Sequence, residues 1–167
     1  MASGEPGWIA IYTKSRFERV AARYLHDCGM TSYVPLRRRL HRWSDRKKWV
    51  ELPLIPSYVF VMIPGREHYR LYEAPGFVKF IMFHDRVASV RPTDIELLRR
   101  SELHEEAQTI GTPSIPKGTK VMITGGPFSG YSGSVVHEDK GCAIAIGIEE
   151  LALAVVVKVL AADVRAL

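Results

Sequence analysis

Residues Gly125 to Gly133 read GGPFSGYSG, with four glycines and one proline in nine positions, and lie next to an apolar segment. A loop of this composition either binds a phosphate group or makes a tight turn between strands. A phosphate-binding loop opens a helix, and in a P-loop a Lys-Ser/Thr pair follows it. Here the residues SVVHED follow, which are β-branched and then polar. The sequence therefore predicts a strand, a glycine turn and a second strand, in which the glycines supply positive φ angles and close backbone approach.

Short β-type segments surround this turn in the C-terminal part of the chain, and no helix start lies between them. They are Lys120–Thr124, Ser134–His137, Cys142–Ile148, Val155–Val159 and Val164–Leu167. This pattern predicts a small β-barrel domain over residues 117–167. The preceding residues 104–116, HEEAQTIGTPSIP, have no periodicity and few core-forming side chains, which predicts a linker.

The N-terminal part, residues 1–103, alternates strand and helix patterns. Ser15 and Glu18 match a capping box ahead of apolar residues at helical spacing, and Gly29 offers a left-handed stop, so a helix is predicted there. A second helix is predicted from Pro92 to Leu103. The predicted strands are Trp8–Tyr12, Thr31–Leu36, Trp49–Leu52, Ser57–Ile63 and Phe77–Phe83, with a short helical stretch at His68–Tyr72. Together these elements predict an α+β fold, with an N-terminal α/β sandwich that has a mainly antiparallel sheet.

Basic residues are concentrated in one place. Seven of them fall within twelve positions: Arg37, Arg38, Arg39, Arg42, Arg46, Lys47 and Lys48. Trp43 and Trp49 lie within or beside this run, between two predicted strands. A local basic run with aromatic side chains is typical of a surface that binds a polyanion. The alternative is that the charges only solvate one face of a hairpin.

The sequence gives no support for a membrane protein, a secreted protein, a metal site or an enzyme. The longest apolar run, Leu151–Val157, is shorter than the about 20 residues that span a bilayer. The N-terminus MASGEPGW has no signal-peptide pattern, so we expect a cytoplasmic protein with no membrane segment. The two cysteines have no partner at metal-ligand spacing, and the six histidines are scattered without a paired carboxylate or nucleophile. We therefore expect no metal, no cofactor and no enzyme activity.

Four stretches resemble a known family. Lys117–Val136, KGTKVMITGGPFSGYSGSVV, resembles the KOW motif, which implies an SH3-like barrel. The stretches WIAIYTKSRFE (Trp8–Glu18), PLIPSYVFVMI (Pro53–Ile63) and APGFVKFI (Ala74–Ile81) resemble the three signatures of the NusG-type N-terminal domain. With the three N-terminal stretches first and the KOW motif after them, they resemble the NusG family of transcription factors and its specialised paralogues of the RfaH and UpxY type. Ser57 stands where NusG itself usually has glycine, which favours a specialised, operon-specific paralogue.

The resemblance implies a transcription elongation factor that binds the clamp helices of the RNA polymerase β′ subunit, keeps the clamp closed, suppresses pausing and promotes antitermination. It assigns polymerase binding to Tyr58, Phe60, Phe77, Phe80, Ile81 and Phe83. The alternative for each is simple burial, because aromatic residues on a strand with a two-residue period often form core. Two other functions stay open: a general housekeeping NusG factor, and a KOW-type RNA- or ribosome-binding protein.

The basic run lies where the family's N-terminal domain approaches upstream and non-template DNA. The resemblance and the charge together assign DNA binding to Arg37, Arg39, Arg42, Arg46, Lys47 and Lys48, with Trp43 stacking on an unpaired base.

For the KOW domain the resemblance implies a protein partner, either Rho or ribosomal protein S10, bound around Ile148, Leu151 and Leu153. The alternative is that these residues are core. The turn residues of the motif are Gly125, Gly126, Phe128, Gly130 and Gly133. Fold switching of the RfaH type is not expected, because the β-branched residues from Val155 to Val159 favour strands. We expect a monomer.

Overall fold

The computed structural model describes residues 7–64, 67–111, 118–137 and 142–167. The chain divides into two compact units, Met1–Ile95 and Glu96–Leu167. Across the described ranges the α-helices are α1 (Glu18–Asp27) and α2 (Pro92–Glu102), and the strand pairings are antiparallel. The predicted mixture of helices with mainly antiparallel sheet is confirmed. No helix in the described residues is both long and apolar enough to cross a bilayer.

The first unit is built on a sheet that runs in the order β2-β5-β1-β6, with β9 also pairing with β1. The strands of this unit are β1 (Gly7–Thr13), β2 (Thr31–Tyr33), β3 (Leu36–Arg42), β4 (Lys47–Pro53), β5 (Tyr58–Ile63), β6 (Phe77–Phe80), β7 (Met82–Phe83), β8 (Arg86–Val87) and β9 (Ser89–Val90). A 3₁₀ helix over Glu67–Glu73 spans the short helical stretch that the sequence predicts at His68–Tyr72.

Helix α1 packs against one face of this sheet. Its buried Leu25 belongs to the same core cluster as Ile9 and Ile11 of β1 and Val59 and Val61 of β5. Because side chains alternate along a strand, the intervening residues of β1 and β5 point to the other face. The sheet therefore has an aliphatic face under α1, and its opposite face carries the aromatic residues of β1 and β5.

The end of α1 matches the prediction. Gly29 has a φ angle of 82°, which a glycine adopts without steric cost. The Gly29 N–H donates to the His26 carbonyl at 2.8 Å, and the Met30 N–H donates to the Leu25 carbonyl at 2.9 Å. These two bonds form a Schellman motif, in which carbonyls of the last turn find partners.

The start of α1 differs from the prediction. The helix begins at Glu18, and the preceding Phe17 makes no side-chain cap. Instead of closing a capping box with Ser15, the Glu18 carboxylate accepts the N–H of Ser57 at 2.7 Å. The predicted capping box is therefore wrong, because a partner distant in sequence takes the carboxylate.

The predicted strand Phe77–Phe83 is two strands. β6 ends at Phe80, and β7 pairs with β8 in a small hairpin. The two residues at the tip of this hairpin, His84 and Asp85, have φ angles of 46° and 60°. Two successive positive φ angles fit a two-residue hairpin turn with the twist of the flanking strands. The mainly apolar sequence from Phe77 to Phe83 gives no indication of the break at Ile81.

The sequence places the basic run on a hairpin or loop between predicted strands Thr31–Leu36 and Trp49–Leu52. The structure has a hairpin, but it divides the first predicted strand into β2 and β3, and basic residues lie within β3 and β4. β3 and β4 pair along seven residues, from Leu36 opposite Pro53 to Arg42 opposite Lys47. At the tip, the Trp43 N–H donates to the Arg46 carbonyl at 2.8 Å.

The second unit contains one sheet in the order β10-β14-β13-β12-β11-β15. Its strands are β10 (Gln108–Gly111), β11 (Lys120–Ile123), β12 (Ser132–His137), β13 (Cys142–Ile148), β14 (Leu153–Val159) and β15 (Val164–Ala166). In the described residues β10 and β15 are the two edge strands and do not pair with each other. The sheet is therefore not the closed barrel that the sequence predicts. The edge of β14 that faces away from β13 is taken by β10 and is not available for closure.

Part of the predicted linker is therefore a strand. β10 lies inside residues 104–116, which the sequence predicts to be a linker. The boundary between the compact units falls within α2, after Ile95. The residues that follow α2 belong to the second unit through its sheet.

The glycine turn is a strand-turn-strand connection, as predicted. Gly130 has a φ angle of 89°, and its N–H donates to the Ile123 carbonyl at 2.8 Å. A Cβ atom at Gly133 would lie 2.4 Å from the Ala145 carbonyl oxygen on β13. Phe128 is buried at the turn. Gly130 thus allows the positive φ angle of the turn, and Gly133 allows β12 to approach β13 closely. The turn does not lead into a helix.

Candidate protein and nucleic-acid interfaces

The sheet face opposite α1, which we term the aromatic face, carries Trp8, Tyr12, Tyr33, Tyr58 and Phe60. Tyr12 pairs with Tyr58 across β1 and β5, and their ring centroids are 5.7 Å apart, edge to face. Phe60 and Tyr33 are 6.0 Å apart, and Trp8 and Tyr33 are 6.5 Å apart. Edge-to-face and tilted contacts at these distances are favourable between rings. The cross-strand register therefore brings together aromatic residues from three strands.

The two residues of β5 that the sequence assigns to polymerase binding differ in accessibility. Phe60 is fully buried, so the alternative of simple burial describes it in this structure. Tyr58 is half-buried. Burial raises the pKa of the Tyr58 hydroxyl, and the neighbouring Tyr12 adds to the effect. A ring with one buried and one accessible side is suited to contact with a partner.

A separate three-ring cluster is formed by Tyr72, Phe77 and Phe80. The three centroid distances are each 5.2 Å. Phe77 and Phe80 pack against the aliphatic core under α1, whereas the Tyr72 ring is 63% exposed. This cluster is therefore associated with the face of the sheet opposite to Tyr58.

The six residues assigned to polymerase binding thus do not form one surface. Tyr58 and Phe60 belong to the aromatic face, and Phe77 and Phe80 belong to the three-ring cluster. Ile81 is buried, and its N–H donates to the Ala10 carbonyl at 3.0 Å. Phe83 lies on β7 and contacts the His84 ring at 4.2 Å.

Ser57, the residue before Tyr58, has a φ angle of 69°. Its N–H donates to the buried Glu18 carboxylate at 2.7 Å, and its carbonyl accepts the Thr13 N–H at 2.7 Å. These bonds connect the start of β5 to α1 and to the end of β1. The position has the left-handed conformation that glycine adopts freely and that other residues adopt at a steric cost.

The basic hairpin presents its side chains on two faces, because residues paired across the ladder share a face. One face carries Arg38, Leu40, Arg42, Lys47, Trp49 and Glu51, and the other carries Arg37, Arg39, His41, Lys48, Val50 and Leu52. On the first face Trp49 and Leu40 lie opposite each other, 59% and 39% exposed. The predicted DNA-binding cations are therefore divided between both faces.

Glu51 ties the hairpin to α1. Its carboxylate accepts hydrogen bonds from Arg19 of α1 and, at 3.3 Å, from Arg38 of β3. The hydrogen bond from Arg19, followed by the hydrogen bond from Arg38, lowers the pKa of Glu51 below its ordinary value. Arg19, Arg38 and Glu51 line an open cleft beside Trp49. Arg39, Arg42, Lys47 and Lys48 are exposed along the hairpin.

The hairpin tip carries Trp43, which is 45% exposed. The His41 ring lies 4.6 Å from the Trp43 ring, and the Arg46 guanidinium lies 5.9 Å from its centroid. An exposed indole held by a cation and a second ring can accept a stacked base on its open side.

The residues assigned to a KOW partner are mostly interior. Ile148 is fully buried and Leu151 is 4% exposed, whereas Leu153 is half-buried. The intervening Ala152 has a φ angle of 50° and ends a 3₁₀ turn. The alternative of core packing therefore describes Ile148 and Leu151. Among the described residues, no cluster of His, Cys, Asp and Glu could hold a metal ion.

The family comparison covers the unit that contains the aromatic face and the basic hairpin. The family described as "Transcription termination factor nusG" matches residues 6–99, which is more than half of the chain. The chain belongs to the NusG family. That family consists of transcription factors and not of enzymes. No curated protein sequence matches this NusG-family chain.

One solved structure agrees with the family at the level of the fold. The structure titled "Domain interaction in Thermotoga maritima NusG" has 18% sequence identity and a TM-score of 0.60, and the match covers 96% of this chain and 97% of that chain. Two structures titled as conformations A and B of an MjSpt4:Spt5 complex match with 16% and 17% identity and TM-scores of 0.30 and 0.31. For conformation A the match covers 96% of this chain and 97% of that chain, and for conformation B 96% of each.

Several residues of these surfaces are absent from the sequence prediction. Tyr12 and Tyr72 each contact a predicted residue, and Arg19 reaches the hairpin from α1. Tyr12 could have been found, because it follows the same two-residue alternation as Trp8 in WIAIY. The contacts of Tyr72 and Arg19 join elements distant in sequence, which no local pattern indicates.

Proposed function

We propose that this chain is a transcription elongation factor that binds RNA polymerase through the aromatic face. The docking site on the polymerase is the pair of clamp helices of the β′ subunit. The bound factor holds the clamp closed, and this suppresses pausing and promotes antitermination. The observation that carries the proposal is the family match over residues 6–99, a range that includes all of the aromatic face. The adjacent half-buried rings of Tyr12 and Tyr58 supply apolar area for a helical partner.

The test is binding of the purified chain to core RNA polymerase. Tyr58→Ala removes the ring without opening the aliphatic core, and we expect at least a tenfold loss of affinity. The matched control is Tyr72→Ala, which removes an equally large exposed ring from the three-ring cluster. If the folded Tyr58→Ala protein binds normally and Tyr72→Ala does not, the contact lies at the three-ring cluster, which includes Phe77 and Phe80. If both bind normally, the proposed docking surface is wrong.

The basic hairpin is the DNA-contacting part of this proposal. Non-template or upstream DNA lies along its tip, where Trp43 stacks on an unpaired base. The cations Arg37, Arg39, Arg42, Arg46, Lys47 and Lys48 neutralise phosphates. In support, the tip side chains are exposed and the only carboxylate on the paired strands, Glu51, is already engaged by Arg19 and Arg38.

Two double variants distinguish the faces of the hairpin. Arg39→Gln with Lys48→Gln removes two cations from one face, and Arg42→Gln with Lys47→Gln removes two from the other. Binding is measured by anisotropy with a labelled single-stranded oligonucleotide. We expect the first pair to weaken binding more, because that face also carries His41, which supports Trp43. Unchanged binding in both variants would reject the DNA contact.

The second unit is, in this proposal, a KOW domain that recruits Rho or ribosomal protein S10. Leu153 is the accessible member of the predicted contact, beside buried Ile148 and Leu151. Pull-down of each purified partner by the wild-type chain and by Leu153→Asp tests the contact. Retention of neither partner by the wild-type chain would exclude both.

The role in the cell is proposed to be operon-specific antitermination, by a monomer in the cytoplasm. Ser57 supports this choice over a general factor, because it departs from the glycine that is usual in NusG itself. Genome-wide occupancy decides the question. Confinement to a few long operons is expected, and uniform coverage of transcribed genes would indicate a housekeeping factor.

A further inference from the structure

The open cleft beside Trp49 lies away from the hairpin tip that carries Trp43. It is lined by Arg19 of α1, Arg38 of β3 and the β4 range Lys48–Glu51. Its volume is about 520 Å³, which falls within the roughly 300 to 1,000 Å³ of sites that take small ligands. The cleft is therefore large enough for a group the size of one nucleotide.

Trp49 gives this cleft a flat apolar surface. The residue is 59% exposed, and Leu40, which lies opposite it across the ladder, is 39% exposed. An indole with this much accessible area is not held as part of a core. Every nucleobase has a π-face that can stack on an aromatic ring, whatever its sequence. Trp49 therefore offers a stacking surface in addition to that of Trp43.

Positive charge lies on the side of Trp49 that leads to the hairpin tip. The next cross-strand pair on the same face is Arg42 opposite Lys47, and both residues are exposed. Positions two residues apart along a strand are separated by about 7 Å. The two cations are therefore within reach of the phosphate of a nucleotide whose base stacks on Trp49.

Glu51 lies on the other side of Trp49, two residues further along β4. Its Oε2 accepts Arg19, and its Oε1 accepts Arg38 at 3.3 Å. The two oxygens of a carboxylate have about four lone-pair sites, so each oxygen can accept one more hydrogen bond. The side chain is 40% exposed, which leaves it accessible to a ligand. Two arginines on one carboxylate also give this end of the cleft a surplus of one positive charge, so an anionic ligand is tolerated.

An acceptor at this position distinguishes one base from another. The amino group of cytosine donates hydrogen bonds, and a glutamate or aspartate carboxylate accepts from it. Thymine presents a carbonyl oxygen where cytosine presents the amino group. Because two acceptor oxygens repel each other, thymine is disfavoured next to Glu51.

We propose that the cleft binds one nucleotide of a single strand and selects a base that carries an exocyclic amino group. The base stacks on Trp49, its amino group donates to Glu51, and its phosphate lies against Arg42 and Lys47. This inference rests on the proposed DNA contact of the hairpin and adds a choice of base to it. A free nucleoside monophosphate carries the same groups and is the other source of such a ligand.

The test uses two labelled oligonucleotides of equal length, oligo-dC and oligo-dT, whose binding to the full chain is measured by anisotropy. We expect the wild-type chain to bind oligo-dC at least fivefold more tightly. Glu51→Ala should reduce this preference to less than twofold without weakening oligo-dT, since it removes the acceptor and releases Arg19 and Arg38. The matched control is Asp45→Asn, which removes one negative charge at the tip and should leave the preference unchanged.

A second pair of variants separates the two tryptophans and leaves the ion pairs of Glu51 in place. Trp49→Leu should weaken oligo-dC at least fivefold and remove the preference, because the base loses its stacking surface. Trp43→Leu should weaken both oligonucleotides and keep the preference. If Trp43→Leu weakens binding but the wild-type chain shows no preference, the DNA contact stands and the base-selecting cleft is wrong. Equal responses of the preference to Glu51→Ala and Asp45→Asn would also overturn the inference.

Deoxycytidine monophosphate, added as a competitor, distinguishes the two sources of the ligand. We expect a tenfold molar excess over oligo-dC to leave the strand bound, because neighbouring nucleotides of a strand make further phosphate contacts. Displacement at that excess would identify a free nucleotide as the ligand and reject the single strand. Binding of neither oligonucleotide by the wild-type chain would reject the proposed DNA contact together with this inference.

Discussion

Ser57 is held in a left-handed backbone conformation by hydrogen bonds to two other elements. Glu18 accepts its N–H, and its carbonyl accepts the N–H of Thr13. A non-glycine residue in this conformation costs roughly 1 to 2 kcal/mol, so the surrounding bonds must offset that cost. The start of β5, and with it the orientation of Tyr58, depends on this arrangement.

Replacing Ser57 by glycine should therefore stabilise the protein. We expect Ser57→Gly to raise the free energy of unfolding by about 0.5 to 1 kcal/mol, since relief of the strain exceeds the added backbone entropy of glycine. Chemical denaturation measures the change. The control is Ser57→Ala, which removes the hydroxyl but keeps the Cβ atom, and it should give no such gain. A loss of stability in the glycine variant would show that the serine hydroxyl outweighs the backbone strain.

The Glu18 carboxylate should contribute substantially to stability. Glu18→Ala leaves the buried N–H of Ser57 without its acceptor, and we expect the free energy of unfolding to fall by about 2 kcal/mol. Glu18→Gln keeps an acceptor oxygen at the same reach and should lose less. Thermal and urea unfolding of the three proteins provide the comparison. Equal losses in both variants would indicate that the charge, and not the acceptor geometry, is what Ser57 requires.

At the scale of elements, one carboxylate joins the basic hairpin to α1. Arg19 and Arg38 both donate to Glu51. Of the two predicted alternatives, a hairpin or a loop, the structure has the hairpin. Its anchorage could not be predicted, because Arg19 precedes the hairpin by a whole helix.

The pKa of Glu51 should report this attachment. We expect NMR titration to place the pKa below its ordinary value, and Arg19→Gln to raise it more than Arg38→Gln, because the hydrogen bond from Arg19 is the larger cause. Since the folded protein lowers this pKa, the stabilising contact is present at neutral pH and is lost as the pH falls through the lowered pKa. Equal effects of the two substitutions would contradict the order of the causes.

The β6–β7 segment shows where element prediction fails. Phe77, Phe80 and Phe83 lie in one apolar run, and the sequence predicts one strand. The structure divides the run at Ile81, and the turn that follows uses His84 and Asp85 with positive φ angles. Turn prediction relies on glycine or asparagine at such positions, so this hairpin could not be found. Phe80 and Tyr58 lie on opposite faces of the sheet. The sequence could not predict this either, because it depends on the register of strand pairing.

At the scale of the whole molecule, the surplus positive charge is confined to the basic hairpin. Residues 36–53 contain seven cations and two carboxylates, a surplus of five, and the net charge of the whole chain is also +5. The remaining residues are neutral as a set. Binding to a polyanion should therefore depend on the hairpin and not on net charge in general.

This confinement predicts the salt dependence of DNA binding. Removing two hairpin cations, with Arg42→Gln and Lys47→Gln, should reduce the slope of log K against log salt by about 1.4, at about 0.7 per phosphate on a single strand. The control, Lys120→Gln with Arg165→Gln, lowers the net charge by the same amount outside the hairpin and should leave the slope unchanged. Equal reductions in both variants would show that charge acts without regard to location.

The sequence predicts the fold well where neighbouring residues carry the information. The Gly29 stop, the glycine turn at Gly130 and the alternation of β5 follow from local geometry, and all are found. The pairing of β10 with β14 could not be predicted, because QTIG has no strand pattern of its own and pairs only when a Val-rich edge is available. Burial of Phe60 and Ile148 likewise depends on which elements cover them.

The confinement of charge to one hairpin also governs how the protein arrives at a nucleic acid. The electric field of a nucleic acid attracts the hairpin, whereas the rest of the chain has no net charge. The field therefore exerts a torque on the diffusing molecule. The molecule is turned before it touches anything, and its first collision is made hairpin first. Reorientation is thereby completed during the approach, and fewer encounters end in the wrong pose.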